Sequence, residues 1–473
     1  DFKNFGTSDI DGVGNIKSAV DIIREELLKK NVDLFAQYFY HNVKLFRVMV
    51  PLGTDLNHYF EIMNSRGEQL EKHEIVKALL IGQIQGTTEV QNKFAAVWDA
   101  CSDMNDYIYS HFKSLSDSQI DKITFDDILL FSDNDEDEDI SLSDILANHV
   151  IPSDFPGKEI RIKEKYRSII DFPNFLLQVL KIRHNEVPLD DKSLVKHFTP
   201  YLNEPIEFIT DLLKYRWLFD KYIIKQDLTD TNDKTQSWGI RKLSVNDNSN
   251  GTVKTFDDDE ELVKLQVILY YSDSTNTYNN WLFEFLKFVN SNQENYTNYT
   301  SKIFEIAGNK FDSSTLSYPD ISIFNLYFID FLFWKLYITE VQNKEYINLQ
   351  EPLLSLKQKI FNKKNLFNTF RFKHVSSKEH LFPQSKANDF GIEPEYLNSV
   401  GNLCLISSSQ NSQGNKDMPV AKKKLFETDN SSLKRLIMFE SFENDKWEAE
   451  QIQKHKEEII SLLQQEELIA LSE

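Results

Sequence analysis

Near its C-terminal end the sequence carries Glu379 directly before His380, followed by Asn402 and, nine residues later, Asn411. Hydrolysis of a phosphodiester needs a base that activates water, a cation that stabilises the developing charge, and in-line geometry. Histidine suits the base because its ordinary pKa lies near neutrality, and carboxylate and amide oxygens suit a hard cation such as Mg²⁺ or Mn²⁺. These residue types and their spacing therefore predict metal-assisted phosphodiester hydrolysis.

Short strands and turns must position these residues. If residues 371–380 are extended, the two members of the Glu-His pair point to opposite faces, and both can serve one site only where the strand ends and bends. Pro383 favours such an end. Residues 402–406 are apolar enough for a short buried strand, and residues 407–411 offer capping residues for a helix. The predicted order is strand, loop, strand, helix.

Three pieces of this region resemble the His-Me finger (HNH) nucleases, which have a ββα-metal fold. The pieces are "EHLFPQS" at 379–385, "NSVGNLCLISSSQNSQGNKDMP" at 398–419, and Lys422 in the following helix. The text is most similar to the nuclease half of GmrSD-type, modification-dependent restriction enzymes. It also resembles the HNH domain of RNA-guided CRISPR nucleases.

The resemblance implies a role for each residue. His380 would be the general base, Glu379 would bind the metal, and Asn402 would brace the loop that carries the histidine. Asn411 would complete the site of one Mg²⁺ or Mn²⁺ ion, and Asn415, one helical turn further along, is the alternative for that last role.

Each residue also has an ordinary structural interpretation. A Glu beside a His could be a surface ion pair, Asn402 could be a turn residue after a glycine, and Asn411 could be a helix cap. His374 fits a strand residue better than a ligand, and with no further His nearby the region offers no zinc site. The ordered combination, rather than any single residue, favours the nuclease interpretation.

A second resemblance lies nearer the N-terminus. The text "YFEIMNSRGEQLEKHEIVKALLIG" at 59–82 is similar to a segment of the nucleotide-binding half of the same family. Asn64, Arg66 and Gly67 would form a tight turn in which the arginine reaches a phosphate, although without the resemblance a structural helix-turn-helix corner with an exposed arginine is the favoured explanation. The Asp-Gly-Gln-Gln-Arg motif that opens this ParB-like module does not occur in the sequence. We therefore expect the chain to start partway through the module, and NTP binding to belong to the complete module.

The charge distribution bears on the partner. A net charge of −21 argues against nucleic acid, but acidic residues are concentrated at 133–139 and 257–261. Residues 354–378 contain seven basic residues and no acid. The DNA contacts expected near the motif are Lys373, Lys378, Lys416 and Lys422.

The whole pattern predicts a mainly α protein with multi-helical N-terminal and middle regions and a C-terminal ββα-metal nuclease domain. The expected domains are 1–115, the helical second half of the nucleotide module; 116–350, a helical connector; and 351–473, the nuclease. Apolar residues 321–338 include Asn325, Asp330 and Lys335, which would be costly in lipid, so a buried helix is predicted there and no membrane partner. Helices are also predicted at 33–41, 72–84, 88–112, 259–271, 277–290, 293–307 and 445–466, and the pattern from 158 to 225 is helical with breaks at Pro188 and Pro200.

The combined expectation is a cytoplasmic, metal-dependent DNA endonuclease that restricts modified or phage DNA. Its two cysteines, Cys101 and Cys404, are far apart and fit a reducing compartment. The expected partner is double-stranded DNA, plain or modified, and the chain could act as a homodimer. Two alternatives stay open: a non-catalytic nucleic-acid or nucleotide sensor, and a helical interaction scaffold.

Overall fold

The chain divides into two compact units, residues 1–69 and 70–473. In the first unit the described element is helix α1 (Val32–Asn42), which confirms the helix predicted at 33–41. The computed structural model describes residues 32–42, 71–112, 123–128, 165–228, 237–243, 252–272, 280–292, 295–342, 350–414 and 417–465.

The described part of the second unit is mainly helical, as the sequence predicts. Its N-terminal and middle helices are α2 (Lys72–Ile81), α3 (Thr88–Ser102), α4 (Phe172–Arg183), α5 (Leu194–Phe198), α6 (Pro205–Tyr222), α7 (Glu260–Ser272), α8 (Asn280–Ser291), α9 (Tyr296–Lys310) and α10 (Ile323–Gln342). Its C-terminal helices are α11 (Leu353–Asn362), α12 (Lys364–Asn368), α13 (Pro394–Leu397), α14 (Ser408–Gly414), α15 (Pro419–Phe426), α16 (Leu433–Glu440) and α17 (Ala449–Leu463).

Local capping chemistry sets several helix starts. The Asp171 carboxylate accepts from the backbone N–H of Asn174 at 3.0 Å and precedes α4. The Asn295 side chain accepts from the backbone N–H of Thr297 at 3.0 Å and precedes α9. Each cap satisfies a first-turn donor that the helix itself leaves unbonded.

Helix α10, the apolar segment, runs through the protein core. Its polar residues Asn325, Asp330 and Lys335 are all buried and all bonded. Asn325 donates to the backbone oxygen of Asp312 at 2.7 Å, and Lys335 forms an ion pair with Glu261. None of the described helices combines the length and apolar character needed to cross a membrane. The prediction of a buried helix is confirmed.

Short antiparallel strands interrupt the helices of the middle region. Strands β1 (Tyr166–Ser168), β2 (Lys225–Asp227) and β3 (Ser237–Gly239) form one sheet in that order, and β4 (Arg241–Leu243) pairs with β5 (Thr252–Lys254). The helical prediction for 158–225 is therefore wrong at β1 and at Lys225, and residues 158–164 lie outside the described part of the chain. Three-residue strands are too short to show an alternating pattern that periodicity could detect.

The C-terminal region has the predicted order of strand, loop, strand and helix. Strand β6 (Ser377–His380) pairs antiparallel with β7 (Leu403–Ile406), and α14 follows directly. One continuous apolar core contains buried residues from Val76 to Leu462 and runs across the predicted boundary at 350/351. A smaller apolar cluster, which includes Phe382 and Trp447, lies beneath the β6–β7 loop.

Candidate active site

The pairing of β6 with β7 brings the Glu-His pair to the end of a strand. Glu379 lies opposite Cys404 and His380 lies opposite Leu403. The strand covers only the last four residues of the expected extended segment, 371–380. Both residues are nearly buried, with 9% of Glu379 and 8% of His380 exposed. A solvated surface pair is therefore excluded.

Asn402 ties the loop after His380 to two other segments. Its Oδ1 accepts from Phe382 N at 2.8 Å and from Trp447 Nε1 at 3.0 Å. Its Nδ2 donates to the backbone oxygens of Phe382 at 3.1 Å and Leu397 at 2.9 Å. The amide thus uses both acceptor positions and both donor hydrogens in a fully buried setting. These bonds hold the loop in one place, which an ordinary exposed turn residue would not do.

Gly401 lets the chain before β7 approach helix α17 closely. A Cβ atom at this position would lie 2.3 Å from the backbone oxygen of Ile452 and 3.1 Å from Cβ of Lys456. Because the first of these is a backbone atom, a side chain at Gly401 would displace the turn or the helix. The glycine therefore sets the position of its neighbour Asn402.

Lys422, on α15, lies against the Glu-His pair from the other side. Its ammonium group is 2.5 Å from Oε1 of Glu379 and donates to the backbone oxygen of His380 at 2.7 Å. Burial raises the pKa of Glu379, and the charge and hydrogen bond of Lys422 oppose that rise. Oε2 of Glu379 forms no hydrogen bond within the described residues, so one carboxylate oxygen remains available.

The His380 ring is held by residues from two different loops. Its Nε2 lies 3.1 Å from Oδ1 of Asn398, and its ring meets the Tyr318 ring edge-on, with centroids 4.8 Å apart. Burial lowers the pKa of His380, the nearby charge of Lys422 lowers it further, and the Asn398 bond opposes both. The imidazole is therefore neutral at physiological pH, as a general base requires.

Asn411 lies in the first turn of α14, and a capping box starts that helix. The Ser407 hydroxyl accepts from Gln410 N at 3.2 Å, and Ser407 N donates to Oε1 of Gln410 at 3.1 Å. Ser407 is therefore the cap, as the predicted helix start implies, and Asn411 is not. Oδ1 of Asn411 is buried and bonds no described residue. Helix α14 also packs against β6, the strand that carries Glu379 and His380.

The donor set fits a hard cation better than zinc. Among the described residues, no group of three or more His, Cys, Asp or Glu side chains could hold a metal ion. The available oxygens are instead Oε2 of Glu379 and the unpartnered Oδ1 of Asn411. Mg²⁺ is commonly bound through one or two protein oxygens, with water and phosphate completing its shell. Both residues fit such an ion.

The lysines expected to contact DNA differ in their surroundings. Lys373 is half-buried and forms no ion pair with a described residue. Lys378 donates to the backbone oxygens of Pro319 at 2.8 Å and Ile321 at 2.9 Å. Lys422 needs correction as a surface contact, because only 3% of it is exposed and α15 turns it inward onto Glu379. Lys416 and Asn415 lie outside the described residues.

Sequence reasoning missed Asn398, Tyr318 and Trp447 as parts of this site. Asn398 stands at the start of the matching text "NSVGNLCLISSSQNSQGNKDMP", yet nothing in its spacing connects it with a histidine 18 residues upstream. Tyr318 comes from the segment before α10, and Trp447 from the segment before α17. Only the fold brings such distant residues together.

The comparison with known families supports the same region. Residues 324–462 match the family model described as GmrSD restriction endonucleases, C-terminal domain. This segment of the chain is therefore similar to the C-terminal domain of the GmrSD family, and the resemblance noted in the sequence is confirmed for this region. No curated protein and no solved structure matches the chain.

Proposed function

We propose that this chain is a metal-dependent DNA endonuclease whose base is His380. One observation carries the proposal: a neutral, nearly buried histidine lies next to a carboxylate with one free oxygen, inside the segment that matches restriction endonucleases. The helix that packs on the same strand brings a buried amide oxygen with no protein partner. A structural corner would need none of these features.

The protein's own residues prepare the reaction. His380, kept neutral by burial, accepts a proton from the attacking water. Asn402 fixes the loop after His380 through four hydrogen bonds, which keeps the imidazole oriented. Lys422 partly balances the charge of the buried Glu379 carboxylate. We assign Lys422 this role in place of a DNA contact.

One Mg²⁺ or Mn²⁺ ion is the proposed cofactor, bound by Oε2 of Glu379 and Oδ1 of Asn411, with Asn415 as the alternative amide. The bound ion would supply positive charge to the scissile phosphate and the leaving oxygen. The protein's part is to hold both oxygens on adjoining elements, β6 and α14.

The proposed substrate is double-stranded DNA, plain or modified, in a cytoplasmic restriction system directed against modified or phage DNA. Lys373, Lys378 and Lys416 are the proposed phosphate contacts, and a homodimer would allow both strands to be cut. NTP binding, through Asn64, Arg66 and Gly67, is proposed only for the complete nucleotide module.

The metal site is tested by Asn411→Ala, with Ser412→Ala as the matched control on the same helix. Loss of a ligand should raise the Mn²⁺ dissociation constant, measured by electron paramagnetic resonance, at least about tenfold, because even supporting residues of metal sites contribute 10–100-fold. The Mg²⁺ concentration for half-maximal plasmid cleavage should rise in parallel. Equal Mn²⁺ affinity in Asn411→Ala, Ser412→Ala and the unmodified protein would exclude Asn411 as a ligand.

A further inference from the structure

The His380 ring has one engaged and one available nitrogen. Nε2 lies 3.1 Å from Oδ1 of Asn398, and the Tyr318 ring limits rotation of the imidazole. Nδ1 bonds no described residue, and it is not among the buried polar atoms that lack a partner. Nδ1 is therefore the nitrogen that water can reach.

Asn398 is itself fixed by the backbone around it. Its N–H donates to the oxygen of Pro394 at 3.0 Å, and its carbonyl oxygen accepts from Tyr318 N at 2.8 Å. The next residue, Ser399, forms a β-bridge with Ser317. The segment before α10 thus anchors the Asn398 backbone and also supplies the ring that packs against His380.

The hydrogen bonds around Asn398 determine which tautomer His380 adopts. Gln384 Nε2 also approaches Oδ1 of Asn398, at 3.4 Å, so two nitrogen atoms meet the same amide atom. The amide atom of Asn398 that both nitrogens approach is its oxygen, Oδ1. An amide oxygen can only accept, so His380 Nε2 must carry the hydrogen. In a neutral imidazole the lone pair then lies on Nδ1.

We propose that Asn398 is a positioning residue that keeps the His380 proton on Nε2 and so makes Nδ1 the atom that accepts the proton from water. The proposal rests on the proposed function, because it refines how the same base works. Asn398 acts through His380 and need not touch DNA or metal. Its amide therefore determines the orientation and the tautomer of the imidazole.

Asn398→Ala and Asn398→Asp test this role, with Asn388→Ala as a control on the same loop. Histidines labelled with ¹⁵N report the tautomer of His380 by NMR in metal-free protein, and His380→Gln assigns the signal. We expect a hydrogen-bonded Nε2–H signal in the unmodified protein and in Asn388→Ala, and its loss in Asn398→Ala. A histidine protonated on Nδ1, or an unchanged Nε2–H signal in Asn398→Ala, would overturn the proposal.

Cleavage kinetics give a second readout. Asn398→Ala should lower kcat at least about tenfold with little change in KM, a part of the ~10²–10⁴-fold that a positioned base contributes. Asn398→Asp keeps an acceptor for Nε2–H, but its negative charge favours the imidazolium form of His380. The acid limb of the pH–rate profile should therefore move to higher pH, and the cleavage rate should recover once the pH is high enough to deprotonate the imidazole. A purely structural role would lower the melting temperature without moving that limb, and this result would count against positioning.

The two proposals can fail separately. If His380→Ala cleaves DNA at the unmodified rate, the proposed function fails, whatever the tautomer measurement shows. If His380→Ala is inactive but Asn398→Ala keeps its Nε2–H signal, rate and pH profile, only the positioning role fails.

Discussion

At the scale of single residues, the candidate site combines a buried ion pair with the Asn402 amide, whose donors and acceptor positions are all hydrogen-bonded. Glu379 and Lys422 form an ion pair of which only 11% and 3% of the side chains are exposed. Such a pair gains little net stability, because both charges are removed from water, but removal of one partner leaves the other uncompensated. The pair therefore keeps Glu379 ionised beside His380, and substitution of either partner alone should lower the stability of the protein.

Lys422→Met should reveal this dependence. The variant keeps the linear shape of the side chain but leaves the Glu379 carboxylate unpaired, so we expect a loss of about 3 kcal/mol in the free energy of unfolding at neutral pH. Burial raises the pKa of Glu379 in the folded protein. The loss of stability caused by Lys422→Met should therefore be small where Glu379 is protonated and should grow as pH rises through that pKa. Urea unfolding at pH 5 and pH 8 measures both effects.

The matched control is the double variant Lys422→Met with Glu379→Gln. It carries neither charge, so most of the lost stability should return and the pH dependence should disappear. A double variant no more stable than Lys422→Met at pH 8 would show that packing, and not the ion pair, explains the loss.

At the scale of elements, the buried Asp330 links helix α10 to the start of α16. Its Oδ1 accepts from the backbone N–H of Lys434 at 2.5 Å and from the Ser432 hydroxyl at 3.2 Å. The carboxyl group therefore satisfies a first-turn N–H of α16, next to the N-cap Ser432, and links α10 to a helix of the C-terminal region. Burial raises its pKa to about 7.

Asp330→Asn should remove a pH dependence from the stability. A raised folded-state pKa contributes stability that is complete below the ordinary Asp pKa and is lost as pH rises through about 7. Asparagine keeps the acceptor oxygen without the charge. The free energy of unfolding of the variant, relative to that of the unmodified protein, should therefore rise by an amount on the order of 2 kcal/mol between pH 5 and pH 8. Chemical denaturation at the two pH values measures this gain. Parallel stability curves for the two proteins would contradict it.

Helices were predictable from the sequence where the hydrophobic periodicity extends over many residues. The helix predicted at 259–271 is observed as Glu260–Ser272, and that at 293–307 as Tyr296–Lys310. The helix predicted at 88–112 ends at Ser102, because Asp103 leaves helical geometry. Strand β1 was missed, since three residues cannot display alternation.

The site was predictable only as far as the residues are linked by local sequence. The order of β6, β7 and α14 follows from short apolar runs and the Ser407 cap. The inward direction of Lys422 does not, because a lysine-rich helix gives no sign of which lysine faces inward. The contact of Asn398 with His380 depends on the folded loop between them.

At the scale of the whole molecule, ion pairs within the fold neutralise part of the basic segment 354–378. Lys359 pairs with Glu458 at 2.6 Å, and Lys363 pairs with Glu440 at 3.1 Å. Arg371 is exposed and forms no ion pair with a described residue. Lysines that pair within the fold are not free to contact phosphates, so we expect the salt dependence of DNA binding to be shallower than contacts from the whole basic segment would give.

The second unit also connects its middle region directly to the site. Tyr318, which lies before α10, packs on His380, and Lys378 bonds the backbone at Pro319 and Ile321. The apolar core is continuous through the same region. The imidazole of His380, the proposed base, is therefore positioned by the segment before α10 as well as by the C-terminal region.

The central claim is that His380 is the base of a metal-dependent DNA nuclease, and one measurement tests it directly. Supercoiled plasmid is incubated with the unmodified chain, with His380→Ala, and with His374→Ala, an exposed histidine six residues earlier, in Mg²⁺, in Mn²⁺ and in EDTA. We predict metal-dependent cleavage by the unmodified chain and by His374→Ala, none in EDTA, and a loss of about 10²–10⁴-fold in rate for His380→Ala. Cleavage by His380→Ala at the rate of the unmodified chain would contradict the account.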